Sequence, residues 1–186
     1  MGVSQKHKGA RGEIQVAKDL ATWWAQVEQG CKFKRTPLSG GWGDADTRGG
    51  FKVAGDICTT AERWPFTVEV KRREGWSFGT FARGRLSPVW GWWRQCIEQA
   101  AEEDRIPMLW FRKNRQPWLV LLPERLLVPI LVRHQVQPDL VLRVLSPGVD
   151  DGDIRPAMVL GSKLLALPPT AWLPGRRRKG APGSGV

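Results

Sequence analysis

Asp56 stands thirteen positions before Glu69, and Lys71 follows Glu69 by two. Strand alternation places Glu69 and Lys71 on one face and Phe66, Val68 and Val70 on the other. If the segments on either side of TTAERWP pair antiparallel, Asp56 falls opposite Glu69. Two carboxylates and an ammonium then converge at the end of a hairpin. Hard divalent cations such as Mg²⁺, with Mn²⁺ as a substitute, take a few oxygen ligands and keep their remaining waters for the substrate. A bound ion acidifies a water enough to attack a phosphodiester, and a lysine can orient that water or offset phosphoryl charge. Glu13, in line with the apolar stripe of the first helix, is placed to supply a third carboxylate. An E-x-K on a strand is common as a mere solvated face. Its weight here comes from the G-D-I ahead of it and from the inward glutamate. Asp44 and Asp46 are rival first carboxylates, but they sit in a glycine-rich loop, where Asp serves turns, and no apolar strand residue follows them. Asp150, Asp151 and Asp153 read as a solvated turn.

The elements that must position these residues follow from periodicity. Glu13, Ala17, Leu20, Trp24 and Val27 recur at helical spacing, which predicts a helix over 10–29 stopped by Gly30. Residues 31–35 read as a strand, 36–50 as a loop with five glycines, and 51–58 and 66–71 as two strands. Residues 72–86 read as a basic loop. Ser87-Pro88 is an N-cap followed by proline at the first helical position, opening a helix that runs to about residue 105 before Pro107. Strands are expected over 108–112, 118–122, 141–145 and 158–161, with a short helix over 124–134 despite Pro129. There is no internal repeat.

A chain of 186 residues fits one domain with room for a tail. Its 29 Lys+Arg against 18 Asp+Glu leave a net charge of +11, which favours a polyanionic partner. No apolar run approaches the length of a membrane span, and the polar, basic first eleven residues lack the core of a signal peptide. The expectation is therefore a cytoplasmic protein with no membrane partner. Cys31, Cys58 and Cys96 are odd in number and widely spaced, which argues against both a disulfide framework and a zinc site. With 11 Trp, 6 Phe and no Tyr, aromatic contacts must come from indoles and phenyl rings.

The run G-D-I…F-T-V-E-V-K resembles the PD-(D/E)XK nuclease superfamily, with Gly55 in place of the usual proline. The order G-A-R-G-E (9–13), F-K-R-T-P-L-S-G-G (33–41), V-A-G-D-I and V-E-V-K is similar to archaeal-type Holliday junction resolvases and their virus-encoded relatives. That resemblance covers about residues 8–122. It implies an α/β fold with a mixed central sheet flanked by helices. It also implies a Mg²⁺-dependent endonuclease that resolves branched DNA, the four-way junction, as a homodimer with no nucleotide cofactor, working in the host cytoplasm if virus-encoded. Carried over, Glu13, Asp56, Glu69 and Lys71 match the active-site set, with Asp56, Glu69 and Glu13 toward the metal. Ser39 matches the serine that the family needs, and Arg35 a basic residue before it. Gln95 matches a helical glutamine, with Gln99 one turn later as its rival. The loop between Ser39 and Asp56 is longer than usual. The expected organisation is a nuclease core over 1–122, an extension packed on it over 123–173, and a basic tail over 174–186.

Phosphate contacts, rather than base readout, are what recognition of branch shape requires. The candidates are Lys8 and Arg11 before the helix, Arg35, and Arg72, Arg73, Arg83 and Arg85 around the active-site strand. Arg176, Arg177, Arg178 and Lys179 in the tail supply four more charges. Trp90, Trp92 and Trp93 occupy several faces of one helix, so one or two are candidates for a dimer interface, as are the apolar strands 108–112 and 118–122. Trp42 and Trp76 are candidates for stacking on unpaired bases.

Overall fold

The computed structural model describes residues 2–37, 50–83, 87–136, 142–143 and 154–173. In chain order these form α1 (Gly2–Trp24), β1 (Phe33–Arg35), β2 (Lys52–Ala54), β3 (Ile57–Thr59), β4 (Phe66–Arg72), α2 (Phe78–Ala82) and α3 (Pro88–Glu102). They continue with β5 (Ile106–Arg112), β6 (Leu119–Pro123), α4 (Glu124–Arg133), β7 (Leu142–Arg143), β8 (Pro156–Leu160), α5 (Gly161–Ala166) and a 3₁₀ turn, Pro169–Trp172.

Five strands make a mixed sheet in the order β4-β5-β6-β8-β7, and β1-β3-β2 form a small antiparallel sheet beside it. The expected class, a mixed sheet between helices, is what the chain adopts. Strands β4 and β5 are parallel, in register Glu69↔Leu109 and Arg72↔Arg112, and the crossover between them carries α3. Ser87 caps α3 as its sequence requires, its Oγ accepting from the Val89 N–H.

The hairpin expected from 51–58 and 66–71 does not form. Gly55 has φ +76°, which interrupts the first segment, and the two halves pair with each other: Lys52↔Thr59, Val53↔Cys58, Ala54↔Ile57. The partner of β4 is instead β5, reached by a helix, and only the bridge Gly55↔Val68 links the turn to β4, in the parallel sense. An ideal Cβ at Gly55 would lie 2.4 Å from the Val68 carbonyl oxygen, so both the positive φ and the close approach require glycine.

The sheet is buried on both faces. Phe66, Val68, Val70 and Trp110 face α1, with Trp23, Trp24, Trp64 and Trp172 in the same cluster. Leu109 and Phe111 face the other way, against Val89, Trp90, Trp93 and Cys96 of α3 and against Phe81. Indoles and phenyl rings do supply the aromatic contacts: Trp64 stands edge-on to Trp24, Phe33 and Phe66, and Phe66 in turn meets Trp172. The three cysteines are free thiols.

This burial corrects the proposed interface material. Strands β5 and β6 lie inside the five-stranded sheet, and Trp90 and Trp93 are core residues, while Trp92 is partly buried against the same cluster. Trp76, proposed to stack on bases, is buried against Phe111 at 5.1 Å between ring centroids.

Other differences are local. Helix α1 begins at Gly2 and ends at Trp24, and residues 25–29 continue as turns to Gly30, φ +76°. Within the expected basic loop, Ser77 caps the short α2. Strand β8 enters the central sheet between β6 and β7, and α5 starts at Gly161, whose N–H donates to the Trp118 carbonyl at 2.8 Å. An added Cβ at Gly161 would lie 2.6 Å from the Trp110 ring. Residues 156–172 thus close the same core that α1 and β4 build. No described helix is long and apolar enough to cross a membrane.

Candidate active site

Asp56 is brought to β4 by backbone contacts on both sides of it. Its N–H donates to the Val68 carbonyl at 2.8 Å, and its Oδ2 accepts from the Val70 N–H at 2.8 Å. Thr36, to which the sequence reading gives no role of its own, locks the same turn. Its N–H donates to the Asp56 carbonyl and its Oγ1 to the Gly55 carbonyl, both at 2.8 Å. The available signal was position, since Thr36 follows directly on β1, which pairs with β3. Asp56 is thereby fixed against β4 between Val68 and Val70 without any antiparallel ladder.

Glu69 is the only charged residue buried among the described residues, 1 % exposed, and the Lys71 ammonium donates to its Oε1. The expected alternation holds. Glu69 and Lys71 leave β4 on the face opposite Phe66, Val68 and Val70. Burial, and next the Glu69 charge, push the Asp56 carboxyl up to about 7. The Val70 amide and the Lys71 ammonium pull against that rise, and Glu13 adds the smallest push.

Glu13 projects from the sheet-facing side of α1 and is paired with the Arg35 side chain at the end of β1. The acidic set therefore divides into Asp56 with Glu69, beside Lys71, and Glu13 with Arg35.

Asp56, whose ionisation is opposed by burial and by the neighbouring Glu69 charge, is short of positive charge, which a divalent cation could supply. Among the described residues no group of three or more His, Cys, Asp or Glu is gathered as a ligand set. The residues that could hold an ion are Asp56 and Glu69. That number fits Mg²⁺, which is commonly held through one or two carboxylates, with waters and substrate oxygens completing its shell.

The remaining candidates are distributed as follows. Arg72 is half-buried, with its Nε donating to Asn114 Oδ1 at 2.8 Å. Arg11 and Arg73 are exposed. Arg83 is exposed and donates back to the Gly79 carbonyl at 3.0 Å within the α2 region. Gln95 is exposed on α3, whereas its rival Gln99 is half-buried with Oε1 enclosed and without a hydrogen-bond partner. Ser39, Trp42, Arg85, the carboxylates Asp44, Asp46, Asp150, Asp151 and Asp153, and the tail Arg176, Arg177, Arg178 and Lys179 lie outside the described residues, as does the side chain of Lys8.

The family described as "Phage putative PDDEXK endonuclease" matches residues 4–140. Protein D14 of Escherichia phage T5 is 31 % identical over 127 residues, spanning 66 % of this chain and 72 % of its own length. No solved structure matches the chain. The match runs from α1 through α4, past the point where the sequence resemblance ended, and it includes all four of Glu13, Asp56, Glu69 and Lys71. The chain therefore belongs to the phage PD-(D/E)XK endonuclease family.

Proposed function

We propose that the protein is a Mg²⁺-dependent endodeoxyribonuclease, with Mn²⁺ able to substitute, that resolves four-way DNA junctions by paired phosphodiester hydrolysis as a homodimer. The observation that carries the hydrolytic part is the Asp56–Glu69 pair beside Lys71. The family membership supports an endonuclease. The junction substrate rests on the order of Glu13, Arg35 and the acidic-lysine motif along the chain. The net charge of +11 supports a polyanionic partner.

In this reading Asp56 and Glu69 hold the ion, which when bound supplies an acidified water and neutralises charge on the phosphate. Lys71, already fixed against Glu69, places its ammonium at the same point and offsets charge developing on the phosphoryl oxygens. Arg35, held by Glu13, offers a guanidinium to a neighbouring phosphate. Val70 and Val68 contribute through their backbone, keeping Asp56 in place.

A second reading is a nuclease of the same chemistry that cuts linear duplex, flap or single-stranded DNA. The burial of β5, β6, Trp90 and Trp93 favours it, because these were the proposed material for a two-fold interface. A DNA-binding module without catalysis is disfavoured. Binding alone would gain nothing from two like charges held together beside phosphate. Cleavage of a four-way junction beside a linear duplex of the same sequence separates the three. Paired cuts on the junction alone support the first reading, and equal cutting of both supports the second. In the same assay Asp56→Asn and Glu69→Gln should abolish cutting and retain binding, since losing a negative charge does not weaken phosphate contact. Full activity of either variant, or in excess chelator, overturns the hydrolytic assignment.

A further inference from the structure

Arg72 and Arg112 end two parallel neighbouring strands and are paired in register. Both leave the sheet on the α1 side, the face of Val70 and Trp110, while Lys71 leaves on the other. Neighbouring strands lie about 4.8 Å apart, so two guanidiniums share one small region at the carboxyl end of the sheet. Each is fixed by neutral groups. Arg72 Nε donates to Asn114 Oδ1 at 2.8 Å. The Arg112 guanidinium stacks over the Trp118 ring at 4.2 Å. A Cβ added at Gly12 of α1 would lie 3.4 Å from both Arg72 and Trp118.

Among the described residues neither arginine has a carboxylate within 4.0 Å. Arg112 Nε is enclosed and has no hydrogen-bond partner. Burial, and next the Arg72 charge, pull the Arg112 group below its ordinary value, with Asp19 of α1 opposing from beyond ion-pair distance. Two like charges held together in a half-buried place, one with an unmet donor, are unfavourable unless an anion joins them. A planar fork of N–H donors suits a phosphate, which can accept from both.

We propose that Arg72 and Arg112, with Asn114 and Trp118 as their supports, form a second phosphate site that grips a DNA backbone phosphate flanking the one that is cut. The inference rests on the nuclease reading above and adds Arg112, which no motif marks. Arg72 follows Lys71 directly on β4 but leaves the opposite face, so the gripped phosphate lies across the end of that strand from the reacting one. The site anchors the strand and takes no part in the chemistry.

The test uses the full-length protein with a DNA that the wild type cuts. Arg112→Gln should raise KM by about tenfold or more with little change in kcat, as expected when one charge-assisted hydrogen bond to phosphate is removed. The log–log salt dependence of binding should fall by about 0.9 for each phosphate no longer neutralised. Arg112→Lys keeps the charge and loses the fork, so it should fall between, and it serves if Arg112→Gln does not fold. A single neutral methylphosphonate placed one or two nucleotides from the cut should weaken the wild type more than Arg112→Gln. Wild-type KM and salt slope in Arg112→Gln, or no sensitivity of the wild type to flanking methylphosphonates, overturns the second site while leaving the nuclease intact. A wild type that neither binds nor cuts any DNA overturns both.

Discussion

Asp56 is the site residue whose chemistry the fold alters most. Its carboxyl is pushed up to about 7 by burial and by Glu69, so below neutrality it keeps a proton that a bound cation must displace. The apparent Mg²⁺ affinity should therefore fall by about tenfold per pH unit below about 7, seen as a rising Mg²⁺ requirement for cutting. The same shift bears on stability. Below pH 3.8 the carboxyl is protonated both folded and unfolded; between 3.8 and about 7 only the folded chain holds the proton. Metal-free stability from this group is thus fully present at low pH, is lost as pH rises through that window, and levels off above it. The difference between wild type and Asp56→Asn melts in chelator isolates the effect, and a flat difference across that range would refute it. Lys71 is the second residue-level case. Lys71→Ala should lose most of the rate with a smaller loss of affinity, each tenfold of rate being about 1.4 kcal/mol. Equal losses in both would make it an ordinary phosphate contact.

At the scale of elements, the site was legible in the sequence and the route to it was not. Alternation placed Glu69 and Lys71 together on one face, and the Ser87-Pro88 cap announced α3. The pairing of β4 was misassigned because TTAERWP looks like a hairpin connection. The actual partner, β5, lies some forty residues on, and a parallel neighbour leaves no local turn signal. Gly55 was seen as a departure from a motif. Its real role is steric, because it lets the β2–β3 turn touch the β4 backbone. Gly55→Ala should consequently cost about 1–3 kcal/mol from its positive φ alone, before the clash with Val68 is relieved. Thermal melting should show the loss, and activity should fall further than stability because Asp56 moves with the turn. Likewise α5 escaped notice. Its start is set by packing of Gly161 against Trp110, a long-range contact that periodicity does not register.

For the whole molecule, charge and symmetry make the checkable statements. If the substrate is a four-way junction, two opposed nicks call for two sites at a fixed separation, hence a C₂ dimer. Light scattering at micromolar concentration should then give about twice 20.9 kDa. Mixed dimers with one Asp56→Asn subunit should nick one strand only. A monodisperse monomer that makes paired cuts would overturn that assembly. Deleting residues 176–186 should weaken binding to junction and duplex alike and flatten the salt slope by about 0.9 for every phosphate the tail had neutralised. An unchanged slope would mean that the tail does not touch DNA.

The way the core closes bears on synthesis. Trp23 near the start of the chain donates its indole N–H to the Leu167 carbonyl at 2.8 Å, and Trp172 lies on Phe66 of β4. A ribosome adding about 5–20 residues per second has finished the whole acidic-lysine motif several seconds before these partners are made. During that interval Phe66 and the indoles of α1 lack their cover, and β6 lacks β8. The nascent chain therefore carries the candidate acidic-lysine set without the framework that holds it in place. Such an enzyme switches on late in its own translation. Chains stalled on the ribosome with residues 1–140 emerged should be protease-sensitive and inactive, and those with residue 173 emerged should be neither.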